Sequence, residues 1–301
     1  MKYKIPLIVP TIASDAKLFI DNIDIFFRLL PINRIIIICK KNEFQDTLDD
    51  PRVNILEESE VLNYSTIQKL LRTRYGSKRI DIRVGWYYQQ FLKMSFSRIC
   101  DDEYYLLWDS DTFPVKPIRL FDENGRPYLD FKTEYHKPYF DTLSRIIPGL
   151  GKIFPHSFIA EHMLIKTIYM QELLNIIESN NDIDGGSFYE KIINSIDISA
   201  LSESGFSEFE TYGTYIYIYH KIYYSLREWH SFRFGAFFFR IADLNKMVKL
   251  WLSKYYDAIS FEKHHKISFV RYVVNRSFFR KLFPSQILEV MSLPIRAIRK
   301  L

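Results

Sequence analysis

Two aspartates, Asp109 and Asp111, lie two positions apart directly after the short apolar run Tyr104–Trp108. Residues i and i+2 of an extended chain point to the same side, so this pair can present two carboxylates to one point. Like charges held that close require a cation, a proton or a phosphate-bound metal between them. The spacing therefore predicts metal-assisted chemistry. A capped turn is the alternative, because Asp-Ser-Asp-Thr also suits turns and helix starts.

A second pair of acids, Glu208 and Glu210, lies between Gly205 and Gly213 in an aromatic-rich stretch. A carboxylate in apolar surroundings has a raised pKa and can serve as a general base toward an attacking hydroxyl. We predict that Glu208 is the base, that Glu210 contacts a substrate hydroxyl, and that the glycines let a loop approach the substrate. The alternative is that both acids are plain surface groups.

Short apolar runs predict the strands that hold these residues. The runs are Ile5–Val9, Arg34–Cys39, Val53–Leu56 and Tyr104–Trp108, with Tyr128–Lys132 as a later candidate. Helical spacing predicts helices over residues 16–30, 85–99, 160–178 and 188–196. This order predicts an α/β fold with a mainly parallel sheet flanked by helices. Ligands bind at the carboxyl ends of such strands, where Pro10, Thr11, Glu57 and the Asp109 pair lie.

Length and composition limit the class of protein. A chain of 301 residues forms one large domain or a domain with an extension. Its two cysteines, Cys39 and Cys100, are predicted to be buried free thiols, which fits a reducing cytoplasm. No run of about 18 apolar residues occurs, so no membrane span is predicted. The N-terminal segment lacks the pattern of a signal peptide.

Four blocks, in this order, resemble the nucleotide-sugar glycosyltransferases of the GT-A fold, in particular bacterial enzymes that build capsule, O-antigen and lipooligosaccharide chains. The blocks are Val9–Thr11, Gly85–Lys93, Asp109–Thr112 and Phe206–Gly213, within residues 5–265. The resemblance implies transfer of a hexose, galactose or glucose, from a UDP-sugar to a lipid-linked or oligosaccharide acceptor, with inversion. It also implies Mn²⁺ or Mg²⁺ on the diphosphate, and a site at the inner face of the cytoplasmic membrane.

The resemblance implies roles for single residues as well. Asp111 is expected to bind the metal directly, Asp109 to bind it through water or to reach the ribose, and His230 to complete the shell, with His264 and His265 as alternatives. The expected contacts to nucleotide and donor sugar are Pro10, Thr11, Asp15, Gln90, Lys93, Asp109, Ser110, His162 and Arg233. Structural interpretations remain open: a strand end with a helix cap for Pro10 to Asp15, a solvated helix face for Gln90 and Lys93, and a packed histidine for His162.

The basic charge is concentrated at the C-terminus, where residues 266–301 contain eight Lys or Arg against one acid, Glu289. Aromatic and aliphatic residues interleave with these cations, which predicts a helix lying on an anionic leaflet. A helix packed on the domain is the alternative. We expect a catalytic domain over residues 1–265 and a tail over 266–301. Nucleic-acid binding is not predicted, because no recognition module accompanies the charge.

Two other functions compete with sugar transfer. The Asp109-Ser-Asp111-Thr motif also resembles phosphohydrolases of the haloacid dehalogenase type, with Asp109 as nucleophile and Asp111 as acid/base. In that class the motif normally ends the first strand, whereas at least three strand candidates precede it here. A non-catalytic peripheral membrane protein would leave both acid pairs unexplained.

Overall fold

The computed structural model describes residues 4–43, 50–76, 80–262 and 270–299. The strands are β1 (Pro6–Pro10), β2 (Arg34–Cys39), β3 (Val53–Glu57), β4 (Tyr104–Trp108), β5 (Thr112–Pro114), β6 (Tyr128–Phe131), β7 (His162–Lys166), β8 (Ser225–Glu228), β9 (Ser231–Phe232) and β10 (Ala258–Ser260). The helices of the first half are α1 (Ala13–Ile20), α2 (Ile23–Leu29), α3 (Glu58–Val61), α4 (Tyr64–Tyr75), α5 (Asp81–Ser95) and α6 (Lys137–Ile146). Those of the second half are α7 (Thr167–Glu178), α8 (Phe188–Ser195), α9 (Ile198–Leu201), α10 (Glu208–Tyr219), α11 (Gly235–Phe238), α12 (Lys246–Leu252), α13 (Arg271–Val274), α14 (Ser277–Leu282) and α15 (Ile287–Arg299).

The chain divides into two compact units built from interleaved segments. Unit 1 comprises residues 1–16, 32–109 and 120–228, and unit 2 comprises residues 17–31, 110–119 and 229–301. The expected domain boundary between residues 265 and 266 lies outside the described residues, as do His264 and His265, so these expectations stay predictions.

Unit 1 contains a five-stranded sheet in the order β3-β2-β1-β4-β7. The first four strands are parallel, and β7 runs antiparallel to β4. The residues of β1 and β4 are buried throughout, as expected of strands covered by helices on both faces. The prediction of an α/β fold with a mainly parallel sheet is confirmed.

Aromatic side chains hold the helices of unit 1 against this sheet. Phe91 of α5 contacts Phe188 of α8 and Phe206, which precedes α10, with ring centroids 6.0 and 5.9 Å apart. These rings belong to one large buried cluster that also includes Tyr212 and Tyr215 of α10. The rigid core thereby fixes α5 and α10, the two helices that carry the predicted site residues.

Two of the predicted helices are wrong in part. Residues 162–166 form the antiparallel edge strand β7, and the helix begins only at Thr167. The run from His162 to Ile165 is buried, and a short apolar run fits a strand as well as a helix. The predicted helix over residues 16–30 is two helices, α1 and α2, with a break at Asp21 and Asn22.

Unit 2 contains a three-stranded sheet in the order β5-β10-β9 and the C-terminal helices. The described part of the tail packs within this unit: the Trp251 indole N–H donates to the carbonyl of Phe283 at 2.8 Å. Arg271 binds Asp243 at 2.8 Å, and the hydroxyl of Tyr256 donates to Glu289 at 3.0 Å. The residues of the tail that make these contacts are therefore packed on the rest of unit 2, as the packed-helix alternative predicts.

Cys39 and Cys100 are free thiols, the first buried and the second half-buried. Within the described ranges, no helix combines the length and the apolar character needed to cross a bilayer.

Candidate functional site

Polar residues meet at the carboxyl edge of the unit 1 sheet. Asp109 follows β4, and its backbone N–H donates to the carbonyl of Glu161 beside β7 at 2.9 Å. Pro10 ends β1, and its carbonyl accepts from the Gln89 amide of α5 at 3.0 Å. The backbone N–H of Thr11 donates to Ile38 of β2 at 2.9 Å. The strand ends named by the sequence therefore share one edge, as expected of parallel strands.

Lys93 connects Asp109 to Glu208. Its Nζ lies 2.7 Å from an oxygen of Asp109 and 2.7 Å from an oxygen of Glu208. Lys93 and Glu208 are buried, whereas the Asp109 side chain is partly exposed. Burial alone would lower the pKa of Lys93, but the two carboxylates raise it above its ordinary value. Lys93 is therefore a fixed cation at this edge and does not serve as an acid or a base.

Glu208 and Glu210 occupy the first turn of α10, not a loop. Ser207 caps this helix by accepting from the Glu210 N–H at 3.2 Å, and Gln90 accepts from the Glu208 N–H at 3.1 Å. Acids in the first turn of a helix are stabilised by its dipole. Gln90 thus has a structural contact that orients the helix start, whereas its predicted contact to the nucleotide stays a prediction.

The flanking glycines serve close packing, and Gly213 lies inside α10, so the prediction that a loop there lets the backbone approach the substrate is wrong for Gly213. A Cβ at Gly213 would lie 2.3 Å from atoms of the Phe158 side chain. A Cβ at Gly205 would lie 2.3 Å from the Ile196 side chain. These distances are well below van der Waals contact, so only glycine fits at either position without repacking.

Glu210 makes contacts inside the protein. Its carboxylate accepts from the Phe158 N–H and from the Thr214 hydroxyl, both at 2.9 Å. Burial raises the pKa of Glu210 above its ordinary value, although Phe158, Thr214 and the charge of Lys152 oppose the rise. Both carboxylate oxygens of Glu210 thus have partners inside the protein, and its predicted contact with a substrate hydroxyl stays a prediction.

His162 begins β7 instead of a helix and belongs to a buried ionic network. Its Nε2 lies 2.9 Å from Asp130, and the Nη2 of Arg227 lies 2.7 Å from the same carboxylate. The rings of His162 and Trp108 are 5.0 Å apart. Burial alone would raise the pKa of Asp130, but the hydrogen bonds from His162 and Arg227 lower it. The packed alternative therefore describes His162 better than a donor-sugar contact.

A third ionic group lies beside Asp109 and was not identified from the sequence. Lys132 follows β6, and its Nζ lies 3.0 Å from Glu161 and 3.1 Å from Glu134. Glu161 is buried, and its carbonyl is the one that Asp109 binds. The signal was present as charged residues at the end of the predicted strand Tyr128–Lys132 and at the start of the predicted helix over residues 160–178.

In unit 2, the three-stranded sheet separates two predicted site residues. Asp111 lies next to Phe261, whose N–H donates to the Asp111 carbonyl at 2.8 Å. His230 lies next to Asp257 at the other end of β10, and its backbone N–H donates to the Asp257 carboxylate at 2.9 Å. Four positions along a strand are about 13 Å. The strand register therefore places His230 and Asp111 at opposite ends of β10, and the predicted role of His230 as a metal ligand stays a prediction.

Arg233 and two hydroxyls lie toward the Asp111 end of the same sheet. Arg233 falls between Phe232, which pairs with Ile259, and Phe234, which bridges Phe261. The hydroxyls of Thr112 and Ser260 are 2.8 Å apart. The predicted role of Arg233 in diphosphate binding stays a prediction, as do those of Ser110, which is buried, and Asp15, which lies in the first turn of α1.

The donor chemistry of the aspartates fits a hard divalent cation. In the described ranges, no three His, Cys, Asp or Glu side chains form a complete metal site. Mg²⁺ in nucleotide sites is usually held by one or two carboxylates together with substrate phosphates and water. Asp109 in unit 1 and Asp111 in unit 2 each carry oxygen ligands of this kind, so the chemistry of each residue fits a cation that arrives with a nucleotide.

The fold is that of an α/β protein with charged residues at the ends of its parallel strands, and the sequence matches a known family. Residues 12–231 match a family of unknown function, DUF6492, and the chain belongs to this family. A comparison with curated proteins finds no significant match.

Solved structures with low sequence identity show a partial likeness. The apo structure of the bifunctional glycosyltransferase WbbM has a TM-score of 0.44 at 14% identity, covering 88% of this chain and 47% of WbbM. The chain thus spans about half the length of WbbM. The galactosyltransferase LgtC, in complex with donor and acceptor sugar analogs, has a TM-score of 0.42 at 10% identity, covering 87% of this chain and 88% of LgtC. An active-site mutant of LgtC has a TM-score of 0.44 at 9% identity, with coverages of 90% and 94%.

Proposed function

We propose that this protein is a metal-dependent glycosyltransferase of bacterial surface polysaccharide synthesis. It transfers a hexose, galactose or glucose, from a UDP-sugar to a saccharide acceptor, with inversion. The observation that carries the proposal is the buried Lys93, which lies between Asp109 and Glu208 at the carboxyl edge of the parallel sheet. Lys93 thereby connects Asp109, the acid predicted to act on the nucleotide sugar, to Glu208, the acid predicted to act on the acceptor sugar.

This arrangement suits a reaction in which a diphosphate leaves. Lys93 is a fixed cation beside a partly exposed carboxylate, so it can stabilise negative charge that develops on the leaving group. Asp109 and Asp111 would hold Mn²⁺ or Mg²⁺ against the diphosphate, and the bound cation would neutralise the same charge. Pro10 and Thr11 at the adjacent strand end would contact the nucleoside, and Arg233 the diphosphate.

Glu208 is the proposed general base. Its carboxylate and that of Asp109 both form a salt bridge with Lys93. The lysine therefore holds the two carboxylates at a fixed spacing. A positioned base typically contributes about 10²- to 10⁴-fold to the rate. The structure gives Lys93 and Gln90 as the two residues that orient Glu208, through its side chain and its backbone N–H.

The acceptor is proposed to be a lipid-linked or oligosaccharide chain at the inner face of the cytoplasmic membrane. The outer side of the tail supports this placement, because Phe278 and Leu282 of α14 are exposed next to Arg280 and Lys281. Exposed apolar side chains among cations are typical of segments that bind an anionic leaflet.

The metal assignment is tested with Asp111→Asn. Release of UDP from UDP-galactose and UDP-glucose is measured with Mn²⁺, alone and with methyl hexosides as acceptors. We expect the variant to lose at least about 100-fold in rate, because a metal ligand for the leaving group is removed. Asp101→Asn, at an exposed position before β4, is the matched control and should keep the full rate. Full activity of the Asp111 variant would contradict the assignment of Asp111 as a metal ligand.

The base is tested separately with Glu208→Gln, which keeps an oxygen for Lys93. Transfer to the methyl hexosides should fall by about 100-fold or more, while the melting-temperature rise caused by UDP and Mn²⁺ persists. Transfer at the wild-type rate would exclude Glu208 as base. Covalent aspartyl phosphate at Asp109, detected after incubation with acetyl phosphate, would instead support the phosphohydrolase alternative.

A further inference from the structure

Basic charge is not confined to the tail. Between Lys69 and Arg83 the sequence contains six Lys or Arg and a single acid, Asp81. This segment covers the end of α4 and the start of α5, on the same helix that carries Lys93 farther along. The proposed sugar transfer does not use these cations.

The described side chains on α4 and at the start of α5 form a mixed basic and apolar surface. Ile82, in the first turn of α5, is 86% exposed. Lys69 and Arg72 lie one turn apart on α4 and are both exposed. Arg83 donates to the Ser202 carbonyl at 3.3 Å and lies 6.0 Å from the ring of Trp86. We call these five residues the α4–α5 surface: Lys69, Arg72, Ile82, Arg83 and Trp86.

The cations of this surface are spread out and do not converge. Arg72 is bound to Asp81 at 2.8 Å, and Arg83 is directed to a carbonyl. Arg74 lines a separate groove together with three aspartates, so it is not part of the surface. A phosphate pocket needs donors aimed at one point. Dispersed cations around a protruding isoleucine and a tryptophan suit a fluid anionic surface instead.

We infer that the α4–α5 surface is a docking site for an anionic lipid bilayer. Ile82 enters the interface, Trp86 lies at its polar boundary, and the exposed Lys69 meets the lipid phosphates. Arg83, which is bound to the Ser202 carbonyl, adds its positive charge to the surface. Ile82 and Lys93 are eleven residues apart on α5, which corresponds to about 16 Å along a helix. The docked bilayer therefore lies within reach of the strand edge that holds Asp109 and Lys93. The inference does not depend on sugar transfer, because lipid binding is measured without any sugar.

The test uses the full chain and the double substitution Lys69→Glu with Ile82→Asp. Both residues are exposed and lie outside the buried core, so the melting temperature should stay unchanged. Binding is measured by co-sedimentation with vesicles of phosphatidylcholine and phosphatidylglycerol at a 70:30 ratio. We expect the apparent dissociation constant to rise at least about tenfold, because a cation and an apolar anchor are both replaced by acids.

A matched control carries the same types of change elsewhere on unit 1. Ile168→Asp with Lys221→Glu alters an isoleucine that is 57% exposed and an exposed lysine near the opposite edge of the sheet. This control should bind like the wild type. Equal binding by all three proteins, or an equal loss in both variants, would overturn the inference. Binding of the wild type to pure phosphatidylcholine with the same affinity would also overturn it, since the docking would then not require anionic lipid.

Discussion

Lys93 is a buried ammonium group that has two carboxylate partners and stands over the ring of Phe209 at 4.3 Å. Removing a charge from water is costly, and a buried ion pair often contributes little net stability compared with apolar residues. The arrangement is therefore better explained by positioning than by stability. It fixes the side chain of Asp109, on a strand end, relative to Glu208, on a helix start.

The buried Glu210 predicts that the stability of the protein depends on pH. Because burial raises its pKa above the ordinary value of 4.5, the folded protein binds this proton more tightly than the unfolded chain does. The folded state is therefore favoured as the pH falls through the raised pKa toward 4.5, and it loses stability as the pH rises through that window. Glu210→Gln cannot ionise, and its amide can serve both Phe158 and Thr214.

The measurement is thermal unfolding of the wild type and the Gln variant between about pH 5 and pH 8. We expect the wild type to lose stability relative to the variant as the pH rises, with the two curves converging at the acidic end. Glu203→Gln, at an exposed position, should show no such difference from the wild type. Parallel curves for the wild type and Glu210→Gln would contradict the raised pKa.

The sequence predicts single residues at the ends of strands and helices. It does not predict the residues that they contact. Asp109 and Lys93 follow from residue type and from the apolar patterns around them. The network of Asp130, His162 and Arg227 joins residues 32 and 97 positions apart, and it depends on the pairing of β6 with β8. Long-range register is set by the packing of whole strands, which local patterns do not specify.

At the scale of elements, α10 is a helix where the sequence predicts a loop around the acidic block. The stretch from Glu208 to Gly213 contains a glycine and β-branched and aromatic residues, which are poor helix formers. Packing overrides this propensity, because Phe158 lies directly against the helix at Gly213. The cap from Ser207 then fixes where the helix begins.

A pair of glycine substitutions tests this explanation. Gly213→Ala should destabilise the protein by about 2 kcal/mol or more, because the added methyl group overlaps Phe158 and the core must repack. Gly85→Ala is the matched control in the interior of α5, where no atom lies within 4 Å of the added Cβ. That change should stabilise by about 0.5–1 kcal/mol through helix propensity. Urea unfolding measures both, and destabilisation of similar size in the two variants would contradict the packing argument.

At the scale of the whole molecule, the sequence predicts the class of fold but not how the C-terminal helices pack. The alternation of strands and helices was sufficient to predict the parallel sheet, because buried parallel strands are continuous apolar runs. The division into interleaved units was not predictable, since contacts among residues 17–31, 110–119 and 229–301 leave no compositional boundary in the sequence. The described residues of the tail, 270–299, pack within unit 2.

This packing decides how membrane binding by the tail must be tested. Deletion of residues 267–301 would remove the partners of Trp251, Asp243 and Tyr256, so any loss of binding would be confounded by unfolding of unit 2. Phe278 and Leu282 offer a cleaner change, because they lie four positions apart on α14 and are 71% and 58% exposed.

We expect Phe278→Asp with Leu282→Asp to raise the apparent dissociation constant for anionic vesicles at least about tenfold, because two apolar anchors among cations become acids. The melting temperature should not change, since neither side chain is buried. Ile168→Asp with Ile222→Asp, at exposed positions of unit 1, is the control and should bind normally. Normal vesicle binding by the α14 variant would show that the outer side of the tail does not contact lipid, whatever the result at the α4–α5 surface.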